Sequence, residues 1–108
     1  MEKCKPHYDL AAVKTAVQQR GADVFTATAL VGAQAMGLDS DQAISLICAM
    51  TRTSFYKSMT THAASQVWQD VYHPVAPNGK VAYVKVTLRV GWFNCDSVQG
   101  EMRCHENA

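Results

Sequence analysis

The chain has 108 residues, ten Lys and Arg against nine Asp and Glu for a formal net charge of +1, and 48% hydrophobic residues. That is the length of one domain able to bury a modest core without compulsory disulfides or metal, and it is too apolar and too weakly charged for a disordered segment. The near-neutral total also excludes a protein that grips nucleic acid by charge over its whole surface.

The first half reads as helical. Leu10, Val13 and Val17 recur at three and four residues, which predicts an amphipathic helix over Asp9 to Gln19, with Asp9 at its positive end and Arg20-Gly21 closing it. A short extended piece, Asp23 to Phe25, is expected next, then a second helix started by Thr26 or Thr28 and ended by Gly37. Asp39 or Ser40 caps a third helix with an apolar stripe of Ile44, Ile47, Cys48 and Met50.

The second half changes character. Ser54 to Thr60 and Val67 to Tyr72 are dense in β-branched and aromatic residues, and Asn78-Gly79 is a strong hairpin signal. Beyond it Ala82, Val84, Val86, Leu88 and Val90 alternate with Tyr83, Lys85, Thr87 and Arg89, giving one apolar face and one wet, cationic face. Gly91, Asn94 and Gly100 weaken strand propensity, so a final strand is expected to be short or missing. The expected fold is α+β, with N-terminal helices packed on one face of a small twisted antiparallel sheet and the other face free.

The longest mostly apolar run, Val24 to Met36, is too short to span a membrane, and no apolar segment follows the charged opening Met1 to His7 as a secretory signal requires. A cytoplasmic protein with reduced thiols is expected. The spacing of Cys4, Cys48, Cys95 and Cys104 matches no zinc pattern; a ligand group of Cys95, Cys104 and His105 is not expected, and Cys48 reads as packing. No metal or cofactor is expected.

The total of +1 conceals a segregation of charge. Residues 43–94 carry five basic side chains (Arg52, Lys57, Lys80, Lys85, Arg89) against one acid, Asp70, whereas the helical half is roughly neutral and the tail acidic. A sheet carrying about +4 is the footprint of a polyanion site. RNA brings its own nucleophile, so its cleavage needs only a proton acceptor, cations for the phosphorane and an acid for the leaving oxygen. Lys, Arg, Tyr, His and Gln can divide those tasks, and here they are interleaved with Tyr56, Trp68, Tyr72 and Tyr83, on which unpaired bases can stack. No nucleophile elbow, phosphate-binding glycine loop, metalloprotease motif or carboxylate pair offers another chemistry.

The blocks Phe55-Tyr56-Lys57-Ser58-Met59-Thr60-Thr61 and, six residues on, Trp68-Gln69-Asp70-Val71-Tyr72-His73-Pro74, with Met1-Glu2-Lys3, Pro6-His7 and Tyr83-Val84-Lys85, closely resemble the MqsR family of toxins over about residues 1 to 90. The resemblance implies a RelE-like fold and the toxin of a type II toxin–antitoxin system. Its implied activity is that of an mRNA interferase cutting free mRNA at GC-containing sites such as GCU without the ribosome, which blocks translation and bears on growth arrest, persistence and biofilm formation. The implied partner is an MqsA-like antitoxin, zinc-containing and DNA-binding, through which alone operator DNA is engaged.

Residue by residue, the family's catalytic lysine falls on Lys57, its glutamine on Gln69 and its tyrosine on Tyr83. Lys57 would hold the phosphate or protonate the leaving oxygen; Gln69 would orient the 2′-hydroxyl or phosphate; Tyr83 would donate to the phosphate or accept a proton. Without the resemblance these read as a solvated strand lysine, an edge amide and a surface tyrosine. Lys85, Arg89, Tyr56 and His73 are candidate substrate-binding residues. His62 stands where the family has tyrosine, and neither it nor His73 is inherited as catalytic. Trp68 reads as a core or sheet aromatic, Arg52 as solvated or in contact with antitoxin. Residues 94–108 form a divergent tail: family members end in a strand finishing Ser-Phe-Lys, whose lysine belongs to the active site, and no lysine follows Lys85 here. Arg89 or Arg103 can supply charge but not a base. The alternative reading is therefore a catalytically weakened homologue that acts by binding its antitoxin or RNA.

Overall fold

The computed structural model describes residues 2–60, 67–89 and 92–100. Helix α1 (Leu10–Arg20) starts at Asp9, whose carboxylate accepts the Ala11 N–H, and buries Val13 and Val17 one turn apart. Gly21–Val24 is a 3-10 turn rather than the expected extended piece; the Arg20 guanidinium donates to the Asp23 carbonyl and tightens it, and extended backbone begins only at Phe25, which bridges to Cys95. Helix α2 (Ala27–Ala35) starts at Thr26, whose hydroxyl accepts the Ala29 N–H. Helix α3 (Ser40–Cys48) opens with a full capping box between Asp39 and Gln42.

Among the described residues, five antiparallel strands follow the order β1-β2-β3-β4-β5: Glu2–Lys3, Phe55–Thr60, Trp68–Tyr72, Ala82–Arg89 and Trp92–Gly100. The β3–β4 connection turns at Asn78-Gly79, with Gly79 at φ 86°. The Asn78 side chain accepts the Lys80 N–H and donates to the Met36 carbonyl, tying the turn to the end of α2. One sheet face carries Tyr72, Val84, Val86, Cys95 and Val98 into a core shared with Val17, Ala29, Ala33, Leu46 and Ile47. The α+β architecture is the expected one.

Three further expectations change. β5, expected to be short or missing, is the longest strand, nine residues paired with β4 along its length. Its weak propensity is overridden because α2 lies directly on it: a Cβ on Gly32 would fall 2.0 Å from the Val98 carbonyl oxygen. Alternation along β4 also fails near its end, where Thr87 is fully buried and Leu88 is 39% exposed; Val90 lies outside the described residues. Finally, Tyr72 leaves the candidate stacking platform, while Trp68 is the expected core or sheet aromatic. Tyr72 is core, and Trp68 sits on the helix-bearing side beneath the N-terminal segment, with the His7 ring stacked at 5.3 Å and the Lys3 ammonium 4.2 Å from its ring centre.

That segment is held by Asp70, which is 1% exposed. Its carboxylate accepts the His7 N–H at 3.0 and 3.1 Å, the Tyr8 N–H at 2.9 Å and the Ser58 hydroxyl at 2.7 Å. The Tyr8 hydroxyl adds a bond to the Trp68 carbonyl at 2.6 Å. Asp70, the one acid of residues 43–94, is a structural anchor that stitches residues 7 and 8 to β3.

Two outcomes follow from this packing. Gly32→Ala forces α2 off β5 and is expected to destabilise by about 2 kcal/mol or more in urea unfolding. Burial, aided by the Asp70 charge, pushes the Tyr72 phenol from 10.0 up to about 12. The unfolded chain therefore loses that proton first, so the contribution is intact below pH 10 and lost as pH rises towards 12. An ultraviolet titration is expected to show this late ionisation in the wild type and not in Tyr72→Phe.

Candidate active site

The open face is assembled by two one-residue irregularities. In a regular strand Phe55 and Lys57 would share a face. Between β2 and β3, however, Phe55 is opposite Tyr72 and Lys57 opposite Val71, so Tyr56 is an extra residue. Phe55 thus packs on Tyr72 while Lys57 reaches the other side. β5 repeats the device: Cys95 is opposite Val86 and Ser97 opposite Lys85, leaving Asp96 as the extra residue. Cys95 stays in the core, and Ser97 and Gln99 turn to the open face.

The registers then arrange three rows. Lys57, Val71, Lys85 and Ser97 form one; Met59, Gln69, Thr87 and Asn94 lie on one side of it; Tyr83 and Gln99 lie on the other. His73 is sandwiched between Tyr56 and Tyr83, with ring centres 4.4 and 4.2 Å apart and planes within 24° and 26° of parallel. The ladder fixes the Tyr83 ring and leaves Tyr56, 54% exposed, as its outer rung, with the Lys57 ammonium 5.3 Å from the Tyr56 ring centre.

The structure thus gathers Lys57, Gln69, Tyr83, Lys85, Tyr56 and His73 on one face. Arg89 ends β4 opposite Trp92, and His62, Arg103, Cys104 and His105 lie outside the described residues. Cys95 is buried in the core, and among the described residues no three His, Cys, Asp or Glu converge to hold a metal.

Three residues went unremarked in the sequence. Glu2 reaches the face because β1 pairs beside β2, with Glu2 opposite Met59; its carboxylate lies 2.8 Å from the Lys57 ammonium. That hydrogen bond, with the attraction between the charges, holds the carboxyl below its ordinary pKa and keeps the ammonium above its own, against partial desolvation of the lysine. Lys57 is therefore firmly cationic at neutral pH. Ser97 places a buried hydroxyl, without a hydrogen-bond partner among the described residues, in the lysine row. Gln99 stands opposite Tyr83 in the run Ser97-Val98-Gln99. Only Glu2 left a signal in the sequence, as part of the opening motif; the others depend on the bulge at Asp96.

Helices on one side of an antiparallel sheet, with lysines, stacked rings and an amide on the other, are consistent with the small RelE-like toxin fold that the sequence resemblance implies. Residues 5–98 match the family described as "Motility quorum-sensing regulator, toxin of MqsA". The chain is also 42% identical over 88 residues to the mRNA interferase toxin MqsR of Escherichia coli strain K12, an alignment that covers 82% of this chain and 88% of that protein. This chain belongs to the MqsR toxin family. The match runs through most of β5, beyond the limit near residue 90 set by the sequence motifs.

Proposed function

We propose that this protein is the toxin of a type II toxin–antitoxin pair and a ribosome-independent mRNA interferase, cleaving cytoplasmic mRNA at GC-containing sites such as GCU on the open face of its sheet. The observation that carries the reading is the convergence of Lys57, Gln69 and Tyr83, from three strands, beside Lys85. In this reaction the 2′-oxygen attacks the adjacent phosphorus, giving a 2′,3′-cyclic phosphate and a free 5′-hydroxyl.

Lys57 stabilises the negative charge of the phosphorane and protonates the departing 5′-oxygen. Gln69, diagonal to both lysines, orients the 2′-hydroxyl or the phosphate, and Tyr83, held by the ring ladder, donates to a phosphate oxygen. Lys85 takes a neighbouring phosphate with Arg89, and an unpaired base stacks on the outer face of Tyr56. The partner is an MqsA-like antitoxin, zinc-containing and DNA-binding, through which the pair engages its operator. Among the described residues no helix is long and apolar enough to cross a membrane.

The reading of a weakened enzyme that acts by binding is favoured by Gln99. It stands opposite Tyr83 and no lysine follows Lys85, so a neutral amide lies beside Tyr83 at the end of the sheet where the family resemblance implies a further lysine to aid the phosphorane.

Purified protein is expected to cleave GCU-containing RNA in the presence of chelator, and Lys57→Ala to slow cleavage by about 100-fold or more with little change in thermal stability, since an exposed ion pair contributes little. Absence of cleavage by folded wild type would sink the enzymatic reading. Gln99→Lys is expected to raise the single-turnover cleavage rate several-fold; an unchanged rate would separate Gln99 from the active site.

A further inference from the structure

The open face is rich in groups that donate protons and poor in groups that accept them. Lysine, arginine and tyrosine carry their protons at neutral pH, and an amide accepts none. Lys57 in particular is pinned in its charged form by Glu2. His73 is enclosed between two rings, with its Nε2 buried. Transesterification, however, requires that the 2′-hydroxyl give up its proton. A carboxylate is already present, and it touches the lysine that binds the phosphate.

We propose that Glu2 is the general base of the cleavage reaction, a role that rests on the ribonuclease reading above. Its carboxylate lies 2.8 Å from the Lys57 ammonium, and its side chain is 59% exposed, so RNA can reach it. The fold delivers it by a defined route: Asp70 fixes residues 7 and 8, Lys3 covers Trp68, and β1 pairs Glu2 with Met59 and Lys3 with Ser58. A phosphate seated on Lys57 therefore brings its nucleotide beside the Glu2 carboxylate.

The proton balance closes within the pair. Glu2 takes the 2′-hydroxyl proton as the O2′–P bond forms. The P–O5′ bond breaks, and the leaving oxygen takes a proton from the Lys57 ammonium. Glu2, now a carboxylic acid, returns its proton to the neutral Lys57 amine across their hydrogen bond, and the pair is ready for another turn with no net proton consumed. Substrate binding strengthens the base: phosphate draws the ammonium away from the carboxylate and adds a second anion nearby, and both effects raise the affinity of Glu2 for a proton. Among the described residues, the charge that acts on Glu2 in the free protein is that of Lys57.

Single-turnover cleavage of a GCU-containing oligonucleotide, measured from pH 4 to 9 in chelator, tests the role. A strand with 2′-hydrogen at the scissile nucleotide measures binding alone. Glu2→Gln is expected to lower the cleavage rate by about 100-fold or more and flatten the acid limb of the pH profile, while binding the 2′-deoxy strand as tightly as wild type or more so. Glu2→Asp is expected to keep the acid limb at an intermediate rate. Cleavage by Glu2→Gln at the wild-type rate or faster would mean that Glu2 only competes with phosphate for Lys57, and would overturn the proposal. Loss of 2′-deoxy strand binding, or a slower rate with the acid limb intact, would also overturn it by assigning Glu2 a structural part. Failure of the wild type to cleave would remove the ribonuclease reading itself, an outcome read from the wild type alone.

Discussion

The arrangement of the N-terminus and the open face depends on one buried carboxylate. Asp70 sits 1% exposed on β3, where a charge without partners would cost several kcal/mol, so donors must converge on it. They come from Ser58 on the neighbouring strand and from the backbone of His7 and Tyr8, more than 60 residues away in sequence. Satisfying that charge forces the N-terminal segment across the helix-bearing side of the sheet, and the residues before it then pair with β2 as β1. An interaction on one side of the sheet thereby places Glu2 beside Lys57 on the other.

The two bulges are equally economical. A strand exchanges its faces when one residue is inserted, so Phe55 and Lys57 on β2, or Cys95 and Ser97 on β5, serve opposite faces despite their even spacing. At each place the core keeps its apolar residue and the open face gains a polar one. The bulge at Tyr56 also sets its ring against His73, which in turn lies on Tyr83. Rigid positioning is thus obtained from stacked rings and register in a domain too small to spare a layer for supporting the site.

Much of this was legible without coordinates wherever the controlling interactions are local. Asp9 caps the helix it opens, and Thr26 and Asp39, each one of two expected starts, cap theirs, because an N-cap bond spans only two or three residues. Asn78-Gly79 makes its turn for the same reason. The grouping of Lys57, Gln69, Tyr83 and Lys85 was legible through the motif blocks and the alternation of β4. The extended piece expected at Asp23 to Phe25 is instead a turn under the Arg20 side chain, and β5 is long where a short or missing strand is expected, because propensity takes no account of a helix lying on the strand.

By itself, then, the sequence determined the helices, the hairpin, the segregation of positive charge onto the sheet and the family motifs, all of which rest on neighbours a few residues apart or on composition. Tertiary structure alone decided which face each aromatic serves, that Tyr72 leaves the open side, that β5 is long enough to add Ser97 and Gln99, and that Glu2 meets Lys57. Those outcomes turn on strand register, on single-residue bulges and on the demand of a buried charge for distant donors, and none of these is expressed in the local order of residues.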